Sequence, residues 1–204
     1  MRERYFQMNI LLVSALEMET DNKLDSYLPH NLIHTGVGKI NATYHLTRRL
    51  LVDRAINYEA RINIVINYGT AGSRKYVKGS LVDCTKFIQR DMNVTPLGFE
   101  LGQTPFEEEP HIIECYHNED FNPIGQNTTC GSGDNFSIDE SDWDKWDVVD
   151  MEAYSLAKVC RNFEIPFISF KYITDGADDE ADSDWETNVK NGVEIFKEEI
   201  LGEL

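Results

Sequence analysis

The chain has 204 residues, 41% of them hydrophobic and 27% charged, which is the length of one domain with a substantial core and too apolar for a disordered chain. Its 36 acidic against 19 basic side chains give a net charge of -17, a field that repels phosphate backbones and anionic lipid and argues against nucleic-acid and membrane partners. Cys84, Cys115, Cys130 and Cys160 stand 31, 15 and 30 residues apart with no C-x-x-C pair, so neither a zinc knuckle nor a disulfide framework is signalled, and a cytoplasmic protein with reduced thiols is expected.

The apolar run Ile10 to Val13 is too short, and too soon followed by acids, to be a signal peptide. No stretch reaches the roughly 18 apolar residues of a membrane span, and without export the N-x-T triplets at Asn41, Asn93 and Asn127 are chance matches. Asn9 to Val13 reads as a strand, and Glu17 to Leu28 as a helix with Leu24 and Leu28 one turn apart. Ile33 to Thr35 leads into Gly36-Val37-Gly38, a turn that opens a helix with Ile40, Tyr44, Leu51 and Ala55 on one face. The β-branched run Ile62 to Ile66 predicts a strand buried on both sides, as in a parallel sheet, followed by the glycine-rich Gly69 to Gly72.

Leu81 to Ile88 and Ile112 to Cys115 predict further strands, with Gly79 and the stretch Pro96 to Pro110 as punctuation. The acids from Asp139 to Asp150, around Trp143 and Trp146, read as a solvated turn. Ala153, Leu156 and Cys160 mark a helix, and Pro166 to Ile173 a strand ending at Thr174-Asp175. Trp185, Val189, Val193, Phe196 and Ile200 predict one last helix, opened by the capping box Ser183-Asp184-Trp185-Glu186. Strands and helices alternate, so the expected fold is an α/β three-layer sandwich around a mostly parallel mixed sheet, one domain over residues 1–204. Ligands in such folds sit outside the carboxyl ends of the strands.

Those ends carry acids: Glu17 and Glu19 after the first strand, Asp150 and Glu152 after Val149, and Asp175 after Ile173, with Gly69 to Gly72 between them. Clustered carboxylates either bind a hard metal or act as acid, base and hydroxyl acceptors. A metal usually brings D-x-D patterns or several acids per loop, and Asp178-Asp179-Glu180 can be taken that way but reads as a solvated helix approach. His30 and His34 do not share a helical face, His111, Cys115 and His117 read as a surface strand, and H-E-x-x-H is missing. Gly36-Val37-Gly38-Lys39 lacks both the first glycine and the Ser or Thr of a phosphate loop. Neither a Gly-x-Ser elbow nor a credible Cys-His pair is present, which leaves carboxylate acid and base chemistry without metal or cofactor.

Five segments in order, Ser14-Ala15-Leu16-Glu17-Met18-Glu19, Thr35-Gly36-Val37-Gly38-Lys39-Ile40-Asn41-Ala42, Asn67-Tyr68-Gly69-Thr70-Ala71-Gly72, Val149-Asp150-Met151-Glu152-Ala153 and Ile173-Thr174-Asp175-Gly176-Ala177-Asp178, resemble the 5'-methylthioadenosine/S-adenosylhomocysteine nucleosidases of the nucleoside phosphorylase superfamily. Leu97 to Gln103 and Ser132 to Phe136 extend the likeness over most of the chain. The resemblance implies that Glu19 holds and deprotonates the attacking water, Asp175 protonates purine N7, and Glu152 with the Met151 backbone binds the ribose hydroxyls. It implies too that Phe136 stacks on the base, Ser137 meets its Watson-Crick edge, Thr70, Ala71 and Gly72 line ribose and base, and Trp185 lies near the 5' substituent. Lys171 and Thr174 complete the set. A homodimer acting on a small purine nucleoside, within methionine salvage, is implied in the same way.

Hydrolysis of an N-glycosidic bond builds positive charge on the sugar and negative charge on the purine, so Asp175 must carry a proton that Glu19 must lack. The chain departs from the family in several places. Only sixteen residues separate Glu19 from Gly36, so the segment after the first helix is shortened. Lys171 stands for an arginine, Asp150 for the first glutamate of V-E-M-E-A, Thr70 and Thr174 for serines, and Ser137 for an apolar residue. A purine nucleoside phosphorylase is the nearest alternative, but it would carry an arginine at the first strand end. A catalytically silent nucleoside-binding protein is the other.

Overall fold

The computed structural model describes residues 9–24, 27, 30–56, 61–115, 122–135, 144–176 and 181–203. Among the described residues, eight strands form one mixed sheet: β1 (Ile10–Ser14), β2 (Leu32–His34), β3 (Ile64–Gly72), β4 (Leu81–Gln89), β5 (Ile112–Glu114), β6 (Thr128–Ser132), β7 (Val148–Asp150) and β8 (Phe167–Asp175). The helices are α1 (Glu17–Thr20), α2 (Lys39–Ile56), α3 (Ala153–Phe163), α4 (Ala181–Asn188) and α5 (Gly192–Glu199). None of the described helices is long and apolar enough to cross a membrane.

Strand β1 pairs parallel with β2 and β3, β3 parallel with β8, β4 parallel with β6, and β6 parallel with β7. The antiparallel pairs are β4 with β5, β4 with β8, and β3 with β7. Strands β3, β8, β4, β6 and β7 therefore close back on one another. Alternation along the strands divides the core in two. Leu11, Val13, Val65 and Ala71 face one cluster with Ala42, Leu46 and Leu50 of α2 and Leu156 and Cys160 of α3. Ile10, Leu12, Ile64, Ile66 and Tyr68 face the other, with Val193 and Phe196 of α5. Helix, sheet and helix make the three layers that the alternation predicted.

Several local expectations are corrected. The first helix is a single turn, because Asp21 and Asn22 adopt left-handed backbone (φ 47° and 57°) and end it. The Ile40, Tyr44, Leu51 and Ala55 face of α2 points away from the sheet; the stripe Ala42, Leu46 and Leu50 is the buried one. Periodicity detects an apolar stripe but not what covers it. The Gly69 to Gly72 stretch belongs to β3 rather than following it, and β6 lacks the apolar run that marks a strand. Trp146, placed on a solvated turn from sequence, is buried with Ile88 and Val149; Trp143 lies outside the described residues. The last helix is two, α4 and α5, separated by a turn at 189–191, and its start is Ala181 rather than after a cap at Ser183.

Candidate active site

One cavity of about 230 Å³ lies at the ends of β1, β3, β7 and β8 and is lined by Glu19, Thr70, Ala71, Gly72, Asp150, Met151, Glu152, Thr174, Asp175 and Trp185, with Arg90 and Asn135 beside them. That is room for one small molecule rather than a polymer. Strand register brings these residues together: Gly72 pairs with Val149 on one side and with Asp175 on the other. The β3 and β8 ladder slips between Ala71 and Gly72, so that Thr174 is skipped. Such a bulge frees neighbouring residues from strict alternation, and Thr174 and Asp175 both reach the cavity.

Glu19 sits in the single turn of α1, where a first-turn acid is favoured by the helix dipole, yet its carboxylate turns inward and is buried. Oε2 accepts from Ser14 Oγ (2.8 Å) and from the backbone N–H groups of Ala15 and Leu16 (3.0 Å each). Oε1 accepts from the Thr70 backbone N–H (3.0 Å) and hydroxyl (3.1 Å). Trp185 Nε1 donates in turn to that hydroxyl at 2.9 Å. Glu17 is exposed and takes no part. Asp175 is buried, and its Oδ2 accepts from Thr174 Oγ1 at 2.8 Å.

Asp150 and Lys171, two separate departures in the sequence, form one buried ion pair of 2.8 Å. Asp150 also accepts from Ser132 Oγ (2.5 Å) and the Ala153 N–H (2.9 Å). Burial works against its charge, but the Lys171 ammonium and these donors hold Asp150 below the usual carboxylate range. Burial likewise opposes the ammonium, and the Asp150 charge lifts Lys171 above the usual lysine range. Lys171 passes against Gly69, where a Cβ would stand 3.1 Å from Nζ and 3.3 Å from Glu19 Oε1. A side chain there would press on both the ammonium and the carboxylate, each of which would have to give by a few tenths of an ångström.

Glu152 accepts the Gly38 N–H at 2.8 Å, tying the turn before α2 to the cavity. Burial, and then the Asp150 charge, push its carboxyl up to about 8. The Gly36 to Lys39 segment is thus no phosphate cradle: Lys39 Nζ is held by Asp91 (2.5 Å) and Asp134 (3.0 Å). Phe136 and Ser137 lie outside the described residues. Sequence reasoning passed over Arg90, a buried cation at the end of β4. Its guanidinium donates to Asn135 Oδ1 (2.6 Å) and to the Asn135 carbonyl, fixing the residue that precedes Phe136. Its position one residue past a strand end was the available signal.

Comparison with known proteins shows the family and the fold. Residues 28–201 match the family model of the phosphorylase superfamily. A 5'-methylthioadenosine/S-adenosylhomocysteine nucleosidase of an Exiguobacterium species is 31% identical over 167 residues, 74% of this chain and 69% of that one. The nucleosidase of Geobacillus thermodenitrificans is 26% identical over 221 residues, covering 100% of this chain and 90% of its own. Among solved structures, a 5'-methylthioadenosine/S-adenosylhomocysteine nucleosidase from Helicobacter pylori superposes with a TM-score of 0.80 at 21% identity, over 98% of this chain and 100% of that one. A futalosine hydrolase mutant from the same organism superposes equally well, with a TM-score of 0.80 at 21% identity over 97% and 100%. The match over most of the chain, together with the 31% identical relative, makes this protein a member of the 5'-methylthioadenosine/S-adenosylhomocysteine nucleosidase family within the phosphorylase superfamily.

Proposed function

We propose that this chain is an N-glycosyl hydrolase that releases adenine from 5'-modified adenosines of the methylthioadenosine and S-adenosylhomocysteine type. The observation that carries the reading is the gathering of Glu19, Glu152 and Asp175, from three separate segments, on one small cavity. Glu19 takes a proton from water as its oxygen bonds the anomeric carbon. The N-glycosidic electron pair leaves with the purine, and Asp175 supplies a proton to N7. Glu152 and the Met151 backbone hold the ribose hydroxyls, while Thr70, Ala71 and Gly72 flank ribose and base. Phe136 and Ser137 are assigned to the base, Lys171 and Thr174 to the support of the carboxylates, and Trp185 to the 5' side. The nucleosidase relatives support the substrate class, and the fold, shared with a futalosine hydrolase, leaves the 5' group open.

Phosphorolysis has one observation in its favour, the cavity-lining Arg90. Its donors are largely committed to Asn135, and the first strand end carries Glu17 and Glu19 rather than an arginine, so water is the better nucleophile. The deciding experiment is chromatography of free base from methylthioadenosine, S-adenosylhomocysteine, adenosine and inosine, with and without phosphate. Phosphate-independent release is expected, falling by about 100-fold or more in Asp175→Asn and in Glu19→Gln. Release that requires phosphate, or binding without release, would overturn the hydrolase.

We infer a homodimer as well. Ile40 (82% exposed), Tyr44, Leu51 and Val52 line a groove between α2 and α3, an apolar face that a second copy would cover. A cytoplasmic setting accords with the buried thiols of Cys84, Cys130 and Cys160.

A further inference from the structure

We propose that the indole N–H of Trp185 positions Glu19 through the hydroxyl of Thr70, a role apart from any contact of its ring with the 5' substituent. The kinetic consequence rests on the hydrolase reading above; the hydrogen-bond chain rests on geometry alone. Trp185 Nε1 stands 2.9 Å from Thr70 Oγ1, which stands 3.1 Å from Glu19 Oε1. An indole nitrogen only donates, and a threonine hydroxyl has one hydrogen. With one lone pair taken by the indole, that hydrogen is directed to the carboxylate, which accepts in all of its contacts given above. The chain therefore runs one way, from Trp185 to Thr70 to Glu19.

Orientation of Oε1 thus depends on an element remote in sequence. Trp185 lies on α4, 115 residues from Thr70, and α4 packs on β8, where Asn188 Nδ2 also donates to the Thr174 carbonyl at 3.2 Å. One helix accordingly touches the neighbours of both carboxylates, Thr70 beside Glu19 and Thr174 beside Asp175. A phenylalanine would present the same flat apolar face to a 5' group but could not fix the hydroxyl.

The test is kinetic, on the full chain, with Trp185→Phe, Thr70→Val, Thr70→Ser and the double variant Trp185→Phe/Thr70→Val, using adenosine and methylthioadenosine. Trp185→Phe is expected to lower kcat about threefold to tenfold on both substrates with KM little changed, the scale of one hydrogen bond. Thr70→Ser, which keeps the hydroxyl, should lose less kcat than Thr70→Val, and Trp185→Phe should add no loss to Thr70→Val. A rise in KM confined to methylthioadenosine, or losses that add in the double variant, would overturn the proposal in favour of a ring contact alone. Should the wild type hydrolyse neither nucleoside, the hydrolase reading fails and the hydrogen-bond chain is judged by nitrogen-15 NMR. The indole N–H signal lost in Trp185→Phe shifts in Thr70→Val if the bond exists; an unmoved signal overturns it.

Discussion

Two buried carboxylates two positions apart, Asp150 and Glu152, are driven in opposite directions: the Lys171 ammonium and hydrogen-bond donors hold Asp150 down, while burial and the Asp150 charge push Glu152 up. Asp150 is paired directly with Lys171 and remains charged. Asp150→Asn leaves that ammonium buried without its counter-charge, and urea unfolding should show a loss of about 3 to 5 kcal/mol. Adding Lys171→Met to Asp150→Asn should recover part of it. Glu152 instead keeps its proton up to about 8, whereas an unfolded glutamate releases it near 4.5. Between those values the folded state binds more protons than the unfolded one, so this group's contribution to stability declines as pH rises from 4.5 to about 8 and then levels off. Thermal scans should find wild type losing ground to Glu152→Gln over that window, by several degrees. In its proposed role toward the sugar hydroxyls, Glu152 accepts fully only above about 8, so substrate affinity should rise with pH in wild type and stay flat in Glu152→Gln.

At the scale of elements, helix periodicity located the chain's segments but not their breaks. The spacing from Trp185 to Ile200 suits one helix, yet the turn at 189–191 divides it. The division seats Gly192 on Tyr172, where an added Cβ would lie 2.2 Å from the ring. Gly192→Ala should therefore lift α5 off β8 and destabilise the protein by about 1 to 3 kcal/mol in chemical unfolding. Helix α2 shows the complementary ambiguity. It carries an apolar stripe on each side, Ala42, Leu46 and Leu50 inward and Ile40, Tyr44 and Leu51 outward, and a period of 3.6 residues is equally satisfied by both. The single turn of α1 has the opposite cause: two left-handed residues, Asp21 and Asn22, override a run of helix-forming side chains.

For the whole molecule, the outward stripe of α2 is the feature that a lone chain leaves unexplained. A double change Ile40→Glu/Leu51→Glu should convert a dimer to a monomer in sedimentation velocity without unfolding it, because both residues are exposed in the single chain. A wild type that sediments as a monomer would remove the inferred second copy. The net charge of -17 makes such association strongest at higher ionic strength, where the mutual repulsion of two acidic chains is screened.

The layered α/β architecture was legible in the residues because burial imposes a period on every element, and Val65 or Leu46 records its surroundings in its own hydrophobicity. Glu19, Glu152 and Asp175 were legible for a different reason, since each follows an apolar strand within a short motif that resembles a known family. Side-chain partnership was not legible. That Asp150 and Lys171 are one pair, that Trp185 reaches Thr70, and that Arg90 belongs to the cavity depend on strand register and on the bulge at Thr174. Those contacts join residues far apart in the chain, and no local propensity encodes them; they exist only once the sheet has closed and brought Val149, Gly72 and Asp175 side by side.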